Sequence, residues 1–175
     1  MFRSLSGAVL LLGALAVSAQ TPDPAHRLIL AMSADQSAAV ETGLGYRQLG
    51  EQGQITQKLT QCMQQLDRSA FTDVFAKTVA EQLTPDEIKD ATQFYESEVG
   101  QKFVKVQLVD AYAQFDAAPP EPAPELSESE KATIASFLGS PAGTKLIGNA
   151  VLTDSPQGRK ATRERILELH ARCST

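Results

Sequence analysis

The sequence lacks the residues and patterns on which several classes of protein depend. It holds no Trp, two Cys and two His among 175 residues, and its 16 Lys and Arg are outnumbered by 21 Asp and Glu. An acidic chain lacks the long-range attraction to phosphate backbones that non-specific nucleic-acid binding requires. The two His, His26 and His170, lie far apart and in no metal-binding spacing. We therefore predict no nucleic-acid partner, no metal and no cofactor.

Long apolar runs are absent except at the N-terminus. Residues 1–3 carry one positive charge, Leu5 to Val17 are uncharged and largely apolar, and Val17-Ser18-Ala19 has the small residues that signal peptidase prefers. A run of about 13 residues is shorter than the roughly 20 that a membrane-spanning helix needs. Residues 1–19 are therefore predicted to be a signal peptide cleaved near Ala19. The mature protein would be periplasmic or secreted, with no stable membrane anchor.

Alternation of period two is absent from residue 20 onward, whereas apolar residues recur at spacings of three and four. This periodicity predicts an all-α protein, a bundle of about six helices that forms a single domain over residues 20–175. Pro24 to Met32 should form the first helix, and Ser37 should cap a second that runs through Gln48.

A longer apolar stripe extends from Ile55 to Leu83 and places Cys62 on its predicted buried face. We expect this stripe to break at Asp67-Arg68-Ser69. The last helix is predicted to begin at the sequence S-P-x-G-x-K of residues 155–160 and to end near residue 171.

Proline is concentrated in one internal segment. Residues 116–125 contain Pro119, Pro120, Pro122 and Pro124. Because proline cannot continue a helix, this segment is predicted to be an extended linker. It joins two parts of one domain or, alternatively, two small domains.

The two cysteines can pair if the protein is exported, because an oxidising compartment preserves disulfides. Cys62 and Cys173 lie 111 residues apart, and closing a loop of that order restricts the unfolded chain by about 4–5 kcal/mol in the chain-entropy model. Two buried free thiols or an intermolecular bridge are the alternatives. Neither cysteine lies in a CxxC sequence, so no redox-active site is predicted.

A comparison of the chain with itself predicts an internal repeat. Residues 83–104 and 126–147 share six identical residues at a constant offset of 43. These identities are Leu83/Leu126, Glu87/Glu130, Phe94/Phe137, Ser97/Ser140, Gly100/Gly143 and Lys102/Lys145. Each copy predicts a helix, a sharp corner and a second helix.

The first helix of each copy begins with a capping-box sequence. Thr84 with Glu87, and Ser127 with Glu130, have the spacing in which the hydroxyl and the carboxylate each accept a backbone N–H bond from the other residue. These four residues are predicted to have structural roles at the helix starts.

The corner of each copy has two possible interpretations. A helix N-terminus with a hydroxyl, a glycine and a nearby lysine could hold a phosphate or carboxylate. The residues concerned are Ser97, Gly100 and Lys102 in the first copy and Ser140, Gly143 and Lys145 in the second. Alternatively, the serine caps the helix, the glycine permits close packing, and the lysine pairs with Glu87 or Glu130. We favour this structural interpretation.

The first copy resembles a known family. The sequence LTPDEIKDATQFYESEVGQKF, preceded by the predicted helix of residues 71–83, is similar to a bacterial family of exported proteins designated domain of unknown function 2059. The family's corner, Phe-Tyr-x-Ser-Pro-x-Gly-x-Lys, is matched by Phe94, Tyr95, Ser97, Gly100 and Lys102. Glu98 departs from it by replacing the proline. The resemblance covers roughly residues 25–110 and implies an α-helical periplasmic domain with no established activity.

The basic residues of the last helix could contact anionic lipid. They are Arg159, Lys160, Arg163, Arg165 and Arg172, interrupted by Glu164 and Glu168. The spacing of four between Lys160 and Glu164, and between Glu168 and Arg172, instead favours ordinary surface ion pairs.

No nucleophile motif such as GxSxG is present, and we predict that the protein is not an enzyme. The predicted function is a non-catalytic protein-interaction or binding module with an unknown protein or envelope partner. Candidate contact residues are Tyr46, Tyr95, Phe103 and Tyr112. The alternative is a carrier that holds a small apolar or anionic molecule between helices. A large cavity between the two repeat units would favour the carrier, and a solid core with an exposed apolar patch would favour the interaction module.

Overall fold

The structure, a computed structural model, describes residues 23–148 and 150–175, so the predicted signal peptide of residues 1–19 lies outside the described residues. The described ranges contain nine α-helices and no strand. The all-α class is therefore confirmed, whereas the predicted number of about six helices is too small. The helices are α1 Pro24–Met32, α2 Ala34–Glu51, α3 Gln57–Gln64, α4 Thr72–Gln82, α5 Pro85–Glu96, α6 Glu98–Ala113, α7 Glu128–Leu138, α8 Pro141–Gly143 and α9 Pro156–Ser174.

The second helix begins earlier than predicted. A single residue, Ser33, separates α1 from α2 and has a left-handed backbone with φ of 49°. Its N–H donates to the carbonyl of Leu30, so the chain turns without an intervening loop, and Ser37 lies inside the helix instead of capping it. Gly43 is tolerated in this helix because α3 packs closely there. A Cβ atom at this position would lie 3.2 Å from the Cα atom of Gln64.

The predicted break in the long apolar stripe is present. Helix α3 ends at Gln64, and a 3₁₀ turn, Arg68–Phe71, leads directly into α4. The Asp67 side chain accepts a hydrogen bond from the N–H of Ser69 at 2.8 Å, which starts this turn.

The core lies where α1 packs against α4 and α5. Its largest fully buried side chains include Leu28, Ile29, Phe75, Val79 and Tyr95. Helix α9 packs against α3 and α4 and contributes Leu169, which is also fully buried. Burial of these side chains is the main stabilising contribution to a helical bundle of this kind.

A disulfide joins Cys62 to Cys173, with the two Cα atoms 5.6 Å apart, and the described residues contain no free cysteine. The prediction that Cys62 lies on a buried face is wrong, because this residue is exposed whereas Cys173 is buried. Helix α3 buries Leu59 and Met63 instead. A residue next to Met63 points about 100° away around the helix. The disulfide is compatible with an exported protein.

The proline-rich segment contains no helix, in agreement with its sequence. It leaves the end of α6 and passes back over that helix, where the Lys105 ammonium lies 3.7 Å from the Glu121 carboxylate. Among the described residues, no helix combines the length and apolar character required to cross a bilayer.

Candidate functional site: the paired helix corners

Capping boxes are formed at the starts of α5 and α7. The Thr84 hydroxyl accepts from the N–H of Glu87 at 3.3 Å, and the Glu87 carboxylate accepts from the N–H of Thr84 at 2.7 Å. Ser127 and Glu130 make the same two bonds at 3.3 and 2.8 Å. Two backbone donors that would otherwise be unpaired at each helix start are thereby satisfied.

A serine caps the helix after each corner. The Ser97 hydroxyl accepts from the N–H of Gly100 at 3.1 Å and donates to the carbonyl of Phe94 at 2.6 Å. The Ser140 hydroxyl accepts from the N–H of Gly143, also at 3.1 Å. Each serine therefore uses its hydroxyl within the backbone of its own corner.

The corner glycines are required by the lack of space. A Cβ atom built at Gly100 would lie 2.0 Å from the carbonyl oxygen of Phe94, and one at Gly143 would lie 2.0 Å from that of Phe137. Real Cβ atoms essentially never approach so closely. The absence of a side chain lets the second helix turn tightly against the end of the first.

A third corner of this type starts α9. The Ser155 hydroxyl accepts from the N–H of Gly158 at 2.9 Å and donates to the carbonyl of Val151 at 2.7 Å. A Cβ atom at Gly158 would lie 2.3 Å from that carbonyl oxygen. The S-P-x-G sequence therefore begins the last helix, as predicted, and shares with the other two corners the serine cap on the glycine N–H and the close approach of the glycine to a carbonyl.

The two corner lysines form crossed ion pairs. Lys102 Nζ lies 2.6 Å from Glu130 Oε1, and Lys145 Nζ lies 2.7 Å from Glu87 Oε2. Each lysine thus contacts the capping-box glutamate of the other helix-corner-helix unit. Both carboxylates are largely enclosed, with side-chain exposures of 17% for Glu130 and 15% for Glu87.

These pairs keep the glutamates charged. The hydrogen bond from Lys102, with further bonds from Ser127, lowers the pKa of Glu130 to about 2. The bond from Lys145, with another from the backbone of Thr84, lowers the pKa of Glu87. An external phosphate or carboxylate would have to displace an internal carboxylate from each lysine, so the geometry favours the structural interpretation of the corner.

Aromatic rings fill the space between the two units. The rings of Phe94 and Phe137, which are equivalent residues in the predicted repeat, stack with centroids 3.9 Å apart and an interplanar angle of 6°. Tyr95 meets Phe137 edge-on at 5.3 Å. Stacking and edge-to-face contacts of this kind stabilise a packed interface. A carrier of the predicted kind needs a cavity between the two units. Packed aromatic rings occupy this space instead.

Comparison with known families locates this corner. Residues 69–109 match the model of DUF2059, which is described as an uncharacterized protein conserved in bacteria. This segment matches the DUF2059 family. The resemblance predicted from the Phe94 to Lys102 sequence is thus confirmed, but the match begins at residue 69 and not near residue 25 as expected. No curated protein and no solved structure matches the chain.

The DUF2059 segment includes α4, α5 and most of α6, and hence the first corner but not the second. The two units also differ beyond their corners. Helix α6 has 16 residues, whereas α8 has three and continues as a π-helical segment, Thr144–Gly148. The duplication itself stays a prediction, although the local contacts of the two corners agree.

The predicted aromatic contact residues occupy different environments. Tyr95, within the DUF2059 segment, is fully buried and cannot contact a partner. Its hydroxyl has no hydrogen-bond partner among the described residues, and burial raises its pKa. Tyr46, Phe103 and Tyr112 are half-buried. The Tyr46 hydroxyl lies 2.8 Å from His170 Nδ1, so it makes a hydrogen bond within the protein.

The two histidines lie at separate places, as their sequence positions suggested. His26 lies between Asp73 at 3.0 Å and Asp23 at 3.2 Å, and the hydrogen bonds that its ring donates to these carboxylates raise its pKa. His170 contacts Tyr46 instead. Within residues 23–148 and 150–175, no group of three or more His, Cys, Asp or Glu is arranged to hold a metal ion.

The ion pairs predicted along α9 are not formed. Glu168 pairs with Arg165 at 3.0 Å instead of with Arg172, and no pair joins Lys160 to Glu164. Arg165 also donates to the carbonyl of Ala70 at 2.6 Å, so this cation helps to fix α9 to the 3₁₀ turn.

Sequence reasoning did not identify two concave surfaces outside the DUF2059 corner. One, of about 800 Å³, follows the outer face of α9 beside Arg159, Arg163 and Leu167. The other, of about 360 Å³, lies between α6 and the proline-rich segment. The sequence does show the basic residues of the last helix and the apolar residues in the middle of α6. Neither feature predicts that the surface around it is concave.

Proposed function

We propose that this protein is an exported, non-catalytic interaction module that binds an acidic partner protein through the outer face of α9. Export is supported by the signal-peptide pattern of residues 1–19 and by the Cys62–Cys173 disulfide. The interaction role is the one predicted from the sequence, now assigned to one surface.

A non-catalytic role is supported by how the corners use their polar groups. Ser97 and Ser140 cap helices, and Lys102 and Lys145 pair with internal carboxylates. A nucleophile or an anion-binding donor needs groups that are free to meet a substrate. The corners present the opposite arrangement, in which each of these groups stabilises the fold.

The observation that carries the proposal is the basic and apolar character of the groove on α9. Arg159, Lys160 and Arg163 line it, and within the described ranges none of them has a carboxylate partner within 4.0 Å. Leu167 lines the same groove and is 56% exposed, one of two large apolar side chains among the described residues that are so exposed. Glu164 is the one acidic residue in this lining.

An acidic surface that carries an apolar side chain would complement this groove. Arginine is enriched at protein interfaces, and an apolar centre with a polar rim is the usual arrangement of such sites. Because the whole chain is acidic, with a formal charge of -5, the cations of α9 stand out as a local positive region. Charge complementarity would steer the partner toward this face.

Site-specific photo-crosslinking in the periplasm tests the proposal. A photoreactive residue at Leu167 should capture a discrete protein, whereas the same residue at Thr133, exposed on α7, should not. The double variant Arg159→Glu, Arg163→Glu should remove the crosslink. The matched variant Lys89→Glu, on exposed α5 surface, should leave it unchanged.

Three results would contradict this proposal. They are an equal crosslink from Thr133, equal loss in Lys89→Glu, and binding to phosphatidylglycerol vesicles with no captured protein. The last result would replace the protein partner by an anionic membrane surface.

A further inference from the structure

A second concave surface lies on a different part of the molecule, beneath the proline-rich segment. We call residues 117–125 the proline strap and the space beneath it the strap groove. The groove has a volume of about 360 Å³ and is bounded by the strap, by α6 and by the start of α2. Volumes of this order are typical of small-molecule sites.

The groove has an apolar wall on each side. Val104, Leu108 and Val109 of α6 line one side. Val104 and Leu108, four residues apart, share one face of the helix, and Val109 lies about 100° further around it. Pro119, Pro120 and Pro122 line the other. Proline has no backbone N–H, so this part of the strap presents rings and carbonyl groups and offers few donors to a polar ligand. The rest of the lining is polar and includes Ser33, Gln36, Ser37 and Gln101, so a hydrocarbon chain fits only the part of the groove between the two apolar walls.

Two cations lie in the same lining. Arg68, in the 3₁₀ turn before α4, has no carboxylate within 4.0 Å among the described residues. Lys105 is held only loosely by Glu121, at 3.7 Å, and both of these side chains are mostly exposed. A guanidinium group can bind a carboxylate or phosphate through two parallel hydrogen bonds.

From these observations we infer that the strap groove binds an anionic single-chain amphiphile. Its hydrocarbon chain lies between the α6 wall and the prolines, and its carboxylate or phosphate head contacts Arg68, with Lys105 adding attraction. This ligand site is separate from the partner face on α9 and does not depend on it. The proposed ligand therefore lies at the surface of α6 and not in the space between the two units, where the sequence placed the alternative carrier site.

Methyl NMR of the mature, oxidised protein tests the site with defined probes. Dodecanoate and dodecyl phosphate should each shift the methyl signals of Val104, Leu108 and Val109, and the tighter of the two identifies the head group. The cationic amphiphile dodecyltrimethylammonium should bind at least tenfold more weakly. This binding test does not depend on an activity assay.

Variants of the two cations provide the second readout. Arg68→Gln should weaken binding by at least about tenfold, because a hydrogen bond to a charged group is lost, and Lys105→Gln should weaken it less. The matched variant Lys89→Gln, on α5, should bind like the parent. Melting curves recorded beside the titrations show that each variant is folded.

Any of three results would overturn the inference: no shift of these methyl signals at millimolar probe, equal affinity for the cationic amphiphile, or an unchanged affinity in the double variant Arg68→Gln, Lys105→Gln. Crosslinking at Leu167 is unaffected by any of these outcomes, so the two proposals fail separately.

Discussion

Replacing Gly100 with alanine tests directly whether the corner is built for packing. The added Cβ atom would lie 2.0 Å from the carbonyl oxygen of Phe94 and 2.7 Å from the Cα atom of Tyr95. Ordinary contacts begin at 3.4 Å, so the backbone at the end of α5 must move by more than an ångström. Because Phe94 stacks on Phe137, that movement also disturbs the interface with the second unit.

The size of the effect follows from two opposing contributions. Overpacking a tight site costs about 1–3 kcal/mol, and the clash with backbone atoms places this substitution at the upper end. Alanine recovers about 1 kcal/mol through its higher helix propensity. The free energy of unfolding should therefore fall by about 2 kcal/mol. For a domain of this length, the melting temperature should fall by about 4–8 °C.

A matched glycine in α2 gives the control. A Cβ atom at Gly45 would lie 3.7 Å from the ring of Phe115, an ordinary contact, so Gly45→Ala should be neutral or stabilise the protein by up to about 1 kcal/mol. Thermal and urea unfolding can be followed by far-ultraviolet circular dichroism with the disulfide intact. If Gly100→Ala melts at or above the temperature of the parent, the steric account of the corner is refuted.

Two further predictions concern covalent and electrostatic contacts. Reduction of the Cys62–Cys173 disulfide should lower the free energy of unfolding by about 4–5 kcal/mol in the chain-entropy model. The Cys→Ser double variant should show the same loss without reductant. An unchanged midpoint of urea unfolding would contradict this prediction. Because Lys102, together with Ser127, lowers the pKa of Glu130 to about 2, the stability from this carboxylate is complete above its ordinary pKa of 4.5 and is lost as the pH falls toward 2. Parent melting temperatures should therefore fall more steeply between pH 4.5 and 2 than those of Lys102→Met. The melting temperature of the matched variant Lys131→Met should depend on pH as that of the parent does. If the curves of the parent and of Lys102→Met are parallel between pH 4.5 and 2, the contact with Lys102 does not couple stability to the charge of Glu130.

Features that depend on contacts within about one helical turn could be predicted from the sequence. The capping box of Thr84 and Glu87 uses a spacing of three residues, and so does the bond from Gly100 to Ser97. The disulfide could be predicted for a different reason, because only two cysteines are present. These inferences required no knowledge of how helices pack.

Features that depend on packing could not be predicted in the same way. Lys102 had both Glu87 and Glu130 as possible partners, and the choice of Glu130 follows only from the relative placement of α6 and α7. The buried position predicted for Cys62 failed because α3 starts at Gln57 and turns a different set of residues inward. The sequence does not show whether Tyr95 is a surface contact or a core residue, because an aromatic side chain occurs in both places.

The same limit applies to the two proposed binding surfaces. The cations of α9 are visible in the sequence, but the sequence spacing favoured a pair between Lys160 and Glu164, and only the placement of the side chains shows that Lys160 is not paired with it. The strap groove requires the proline segment to return over α6, which its composition does not specify.

The disulfide at the end of α9 affects how the products of protease treatment migrate on a gel. Cys62 and Cys173 enclose the chain from α3 to α9, including the exposed residues of the strap such as Glu121 and Pro122. A peptide bond cut in the strap would leave two fragments held by sulfur, which migrate as one species until a reductant separates them. Loss of mass on a non-reducing gel therefore underestimates how often this chain has been nicked.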